Sequence, residues 1–162
     1  MFTIADIREI AIQIEKNGEE AYRQAAEAVS DPAICEIFTW MADEEKRHGQ
    51  WFATLTSTDP LTEEQMELEK MGRQLLQEMV GDQTFSLDQK LLADTTEFCD
   101  ALGQSKAFEQ DTIMFYEFLL NLINDEQARA QLDTIIKEER RHIKQLEEMS
   151  KCGPDCSNLA LI

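Results

Sequence analysis

Ala42–Trp51, ADEEKRHGQW, decides how this chain is read, because its central pattern returns 94 residues later in IKEERRHIKQ, residues 136–145. Glu45 precedes His48 by three positions, Glu139 precedes His142 by three, and these are the only two histidines. The same offset relates Glu15 to Glu109 and Tyr22 to Tyr116. It also relates Asp31, Glu44 and Arg47 to Asp125, Glu138 and Arg141, and residues 15–55 align on 109–149 without a gap. This repeat describes two helical hairpins related by a pseudo-two-fold axis, which would bring the two Glu-Glu-His sets face to face.

Working outward, the chain has 162 residues, enough for one domain with a substantial core. Three prolines and six glycines leave room for long uninterrupted helices. Fifteen basic against thirty-three acidic residues give a formal charge of −18. That balance disfavours nucleic acid and anionic lipid and concentrates cations near the surface. The start, MFTIADIREIAIQIEK, carries charges every few residues, unlike a signal peptide or a membrane span. Cys35, Cys99, Cys152 and Cys156 lack the spacing of a secreted disulfide framework. The expectation is a cytoplasmic protein with reduced thiols.

Apolar residues at helical spacing predict a helix over 4–29, with Gly18 inside it at a cost of about 1 kcal/mol relative to alanine. Asp31-Pro32 breaks the chain and starts a second helix reaching about residue 55, Asp31 as its cap. Glu45 and His48 interrupt the apolar stripe Ile34, Phe38, Met41, Phe52, Leu55. A carboxylate on a core-facing stripe is costly to bury unless it is paired or bound to metal. A third helix is expected over 62–80, then a loop with a short helical turn over 82–93. Asp94 with Glu97 looks like a capping-box start for a helix to about 123. The last helix begins near Asn124-Asp125, and Glu139 and His142 again interrupt its apolar face.

The domain reading is therefore a bundle over 1–150, a helical connection between the halves at 59–93, and a tail at 151–162. In that tail Cys152 and Cys156 form a C-x3-C pair without a second pair to complete a four-cysteine metal site. The apolar end LALI could pack on the bundle or on a partner.

Residues three apart share a helix face, so each Glu-x-x-His can reach one metal region. One glutamate from each of two helices plus Glu-x-x-His from two others is the di-iron or di-manganese carboxylate arrangement of four-helix bundles. The candidate ligands are Glu15, Glu45, His48, Glu109, Glu139 and His142, whose four carboxylates neutralise two divalent cations. Carboxylate and imidazole suit iron, with manganese or zinc as alternatives. Tyr22 and Tyr116 stand seven residues after Glu15 and Glu109, placed to pack beside the glutamates and orient them. Arg47 and Arg141 are expected as surface or inter-helix partners of carboxylates.

The segments EKNGEEAYRQAAEAVSDPAICEIFTWMADEEKRH, EQDTIMFY and IKEERRH resemble the rubrerythrin branch of the ferritin-like superfamily over most of residues 3–149. The resemblance implies an all-α, ferritin-like four-helix bundle of two helical hairpins with a long helical crossover. It implies two irons, with Glu15 and Glu109 terminal, Glu45 and Glu139 bridging, and His48 and His142 completing the set. It also implies a non-haem di-iron oxidoreductase that reduces hydrogen peroxide or oxygen, or a ferroxidase acting on Fe²⁺. Two departures stand out. Rubrerythrins proper carry a glutamate three residues after the third-helix ligand, where this chain has Thr112, with Glu19 as a candidate substitute. The paired C-x-x-C motifs of a rubredoxin-like domain are also missing, so an external electron donor is expected. A homodimer is compatible with this reading, and so is a non-catalytic helical interaction module holding a structural metal.

Overall fold

The computed structural model describes residues 4–54, 89–121, 123 and 126–152, together with the helical positions 63, 67, 70 and 71. Among the described residues the chain is all-α. Its elements are α1 (Ile4–Ala28), α2 (Pro32–Phe52), α3 (Gln89–Ala93), α4 (Phe98–Leu120) and α5 (Glu126–Cys152). α1 packs along α2 and α4 along α5, while α2 touches α4 and α3 lies against α1. The two hairpins expected from the repeat are present. The expected helix over 62–80 and the tail fall largely outside the described residues.

Local chemistry accounts for the helix ends. Asp31 caps α2, its Oδ1 accepting from Ala33 N at 2.8 Å and Ile34 N at 3.3 Å, with Pro32 in the first turn. The expected start at Asp94 is corrected. Asp94 N donates to Lys90 O at 3.0 Å and so closes α3, and α4 begins at Phe98 with Glu97 as a cap that lends no side chain. At the far end, Arg129 donates to the carbonyls of Leu120 and Ile123, covering acceptors that the last turn leaves free. α4 accordingly stops at Leu120, three residues short of the expected end.

The apolar interior forms two clusters at opposite ends of the bundle. One gathers Ile14, Phe52, Tyr116, Leu119, Leu132 and Ile136. The other gathers Tyr22, Phe38, Met41, Leu92, Phe108 and Leu146. On each long helix the break between clusters falls at one place: after Ile14, after Ala42, after Phe108 and after Ile136. The candidate ligands occupy that break. No helix among the described residues is long and apolar enough to cross a membrane.

The cysteines depart from expectation. Cys35 is a free thiol, but Cys99 is disulfide-bonded. Lys106 pairs with Glu147 at 2.6 Å and ties α4 to α5.

Removing the Asp31 side chain strips α2 of its capping acceptor. Asp31→Ala is expected to lower stability by about 1 kcal/mol, read as a shifted midpoint in urea denaturation at unchanged slope.

Candidate metal centre

Each hairpin delivers its set by helical geometry. α1 presents Glu15 and α2 presents Glu45 and His48 one turn apart, while α4 presents Glu109 and α5 presents Glu139 and His142. All six are buried, none more than 2% exposed. Glu15, Glu45 and His48 bring one ligand atom each to within 4.8 Å of one another, and Glu109, Glu139 and His142 do the same. The imidazoles of His48 and His142 stack with centroids 5.1 Å apart, so the two sets share one chamber.

The histidines are held from outside. His142 Nε2 donates to Glu44 Oε2 at 2.7 Å, and His48 Nε2 to Glu138 Oε2 at 3.3 Å. Each of these carboxylates comes from the opposite hairpin. Arg47 ties them together, reaching Glu44 at 2.5 Å and Glu138 at 3.1 Å. With Nε2 engaged outward, Nδ1 of each ring faces the chamber. His48 Nδ1 lies 2.9 Å from Glu139 and 3.6 Å from Glu15, and His142 Nδ1 lies 3.2 Å from Glu139 and 3.3 Å from Glu109. Glu139 therefore spans both histidines.

These groups converge without satisfying one another. His48 Nδ1, Glu15 Oε2, Glu139 Oε1 and both Glu109 oxygens are buried without a hydrogen-bond partner, although His48 Nδ1 and Glu139 Oε1 are in close contact. Buried donors and acceptors are rarely left so, because each one costs about 1–3 kcal/mol. A shared cation would satisfy all of them at once. The donor set of carboxylates and imidazoles fits iron, manganese or zinc.

The outer layer is crossed as well. Tyr116 of the second half donates to Glu15 of the first. Tyr22 packs edge-on to Phe108, with ring centroids 5.9 Å apart, and its hydroxyl has no partner. Gly18 has a packing reason: a Cβ there would meet Phe108 Cζ at 3.0 Å and the Glu45 carboxylate at 3.2 Å. The glycine makes the space that Glu45 fills.

A family model described as Rubrerythrin matches residues 6–150, nearly the whole chain. The chain belongs to the rubrerythrin family. Its helical fold is the ferritin-like bundle of that family. Neither a curated protein nor a solved structure matches it significantly.

Against that family background two positions are informative. Glu19 does not substitute for the missing carboxylate. It pairs with Arg23 at 2.9 Å, and Arg23 also holds Asp43 at 3.0 Å, so Glu19 is drawn to the outer side of α1. Thr112 stands where the extra glutamate would be; it is buried and its hydroxyl has no partner. It is also the repeat counterpart of Gly18.

Electrostatics follow from the crowding. Burial and the nearby Glu15 and Glu109 charges push the Glu45 carboxyl well above its usual range. Burial and Glu139 do the same to Glu109, outweighing the pull of His142. Burial opposes charge on His48, but Glu139 and Glu15 overcome it and raise the imidazole to about 11. His142 rises to about 9 against burial, through Glu109 and Glu139. Glu139 is held well below the carboxylate range despite burial, because His48 faces it. Protons thus occupy the place of cations in this cluster.

All six candidate ligands come together in one chamber. The acceptors Glu44 and Glu138 were given no role from the sequence, although both were among the residues matched at the repeat offset, directly before Glu45 and Glu139. The role of Trp40, whose ring packs edge-on to His142 with centroids 5.7 Å apart, had no signal in the repeat, because its counterpart is Thr134.

Two outcomes are expected. His48 and His142 titrate at about 11 and about 9, so both are charged at neutral pH, and metal binding must displace at least these imidazole protons. Affinity should rise with pH, and calorimetry in buffers of different ionisation enthalpy should register the protons released. Gly18→Ala should fail to give the roughly 1 kcal/mol gain of an ordinary helix substitution and should weaken metal binding, read by thermal melts with and without metal.

Proposed function

We propose that this chain is a non-haem di-iron oxidoreductase that reduces hydrogen peroxide, with Glu15, Glu45, His48, Glu109, Glu139 and His142 as ligands. The observation that supports this most is the convergence of six buried ligand side chains, two matched sets of three, on one chamber, where atoms of Glu15, His48, Glu109 and Glu139 lack a hydrogen-bond partner. Two iron ions cycling between ferrous and ferric states would supply the two electrons that, with two protons, turn peroxide into two waters.

The chain's own residues have definable tasks. Glu44 and Glu138 fix the Nε2 side of each histidine so that Nδ1 faces inward. Tyr116 holds Glu15 in place. A narrow opening of about 70 Å³ reaches His48 between Arg47, Trp51, Thr134, Ile135 and Glu138. It has room for a molecule the size of peroxide or oxygen. Glu138 lines this opening and bonds His48, so a proton taken from solvent has a path of one carboxylate to the chamber edge.

Ferroxidation with iron delivery is the second reading, favoured by the excess of acidic residues, which draws Fe²⁺ toward the bundle. Reconstituted protein should bind about two iron per chain. Glu45→Ala and His142→Ala should each lower iron content and slow peroxide-driven oxidation of the ferrous protein by at least about tenfold. Unchanged iron content in both variants would refute the ligand assignment. Catalytic peroxide consumption with a reductant supports the first reading, whereas a single round of oxidation with iron retained supports the second.

A further inference from the structure

A groove of about 560 Å³ runs between α2, the start of α4 and the end of α5. Its walls are Ile37, Phe98 and Met149, with Trp40, Gln145 and Glu36 completing it. Its volume is that of a small-molecule site, and its lining is mainly apolar and aromatic with a few polar groups. None of the candidate ligands lines it.

Two features give the groove a direction. Trp40 belongs both to the groove and to the centre, since its indole meets the His142 ring edge-on with centroids 5.7 Å apart and an interplanar angle of 79°. The repeat counterpart of Trp40 is Thr134, which lines the narrow opening beside His48. One histidine thus faces a small hole and the other faces an aromatic plate. Gln145 adds a polar side chain to this lining. Charge narrows the occupant further. A net charge of −18 and the exposed Glu36 carboxylate at the groove oppose phosphorylated cofactors such as nicotinamide or flavin nucleotides.

We propose that this groove binds a planar, uncharged aromatic hydroquinone, which reduces the metal centre across Trp40. The inference rests on the redox reading of the centre given above. The ring lies among Ile37, Phe98 and Met149, beside the Gln145 side chain. In the step, both O–H bonds of the hydroquinone break and it becomes the quinone. Its two electrons reduce two ferric ions to ferrous, and its two protons leave to water at the open side of the groove. No bond forms between reductant and metal, and Trp40 serves as the contact through which the electrons reach His142.

Binding is tested in zinc-loaded protein, where no electron can be accepted. In a Trp51→Phe background Trp40 is the one remaining indole. Anaerobic titration with 2-methyl-1,4-naphthohydroquinone should quench its fluorescence saturably, whereas reduced flavin mononucleotide and reduced nicotinamide dinucleotide should not. Ala33→Phe, at an exposed position lining the groove, should abolish the quenching with zinc content unchanged. In iron-loaded protein, Trp40→Leu should lower the ratio of hydroquinone to dithionite reduction rates at least tenfold. Absence of saturable quenching, quenching indifferent to Ala33→Phe, or equal binding of the phosphorylated reductants overturns the hydroquinone site. An unchanged rate ratio in Trp40→Leu overturns the electron route. If the groove binds as expected but the iron-loaded protein does not consume peroxide, the reading of function fails instead.

Discussion

Four carboxylates and two imidazoles share a chamber sealed between two apolar clusters, and that confinement governs the rest of the structure. No aliphatic core tolerates such a layer by itself, since each buried carboxylate loses its hydration and repels the next. Burial and crowding raise the Glu45 and Glu109 carboxyls, while facing carboxylates raise both imidazoles and the histidines lower Glu139. The apolar clusters on either side make this arrangement rigid, because the ligand-bearing turns cannot rotate away without opening one cluster or the other. Gly18 belongs to the same constraint, giving up a side chain so that Glu45 can stand in the chamber.

The repeat builds the centre and its departures from symmetry differentiate it. Glu44 and Glu138 act alike on opposite histidines, yet a single arginine from the first half, Arg47, bridges both carboxylates. Tyr116 reaches Glu15, while Tyr22 leaves its hydroxyl unpartnered beside Phe108. Gly18 faces Glu45, and its counterpart is a threonine. Trp40 and Thr134 make the surroundings of the two histidines unlike. A symmetric ligand set in an asymmetric frame has two distinguishable sides.

Much of this was legible in the sequence, for reasons of geometry. Period 3.6 fixes which residues share a face, so Glu45 with His48 and Glu139 with His142 could be assigned to the interior from neighbours such as Met41 and Ile135. The offset then paired the halves. What escaped the sequence was whatever depends on a partner from another helix. Glu44 and Glu138 are matched by the offset, but nothing in the sequence puts the opposite histidine beside them. Glu19 looked available as a ligand until Arg23 claimed it. The Asp94 start failed because a local pattern, D-x-x-E, lost to the backbone bond from Asp94 N to Lys90 O that ends α3. The disulfide at Cys99 could not be read from spacing, since no framework pattern marks that cysteine.

The contacts that orient the ligands nearly all run between halves: Glu44 to His142, Glu138 to His48, Tyr116 to Glu15. A hairpin by itself would carry three ligands and none of the groups that aim them. Only a second hairpin, facing it across the two-fold axis, provides those. The centre is thus in effect an intersubunit interface made permanent by a connecting segment. Joining the two copies in one chain freed each to vary alone, and a tryptophan could then appear beside one histidine without appearing beside the other.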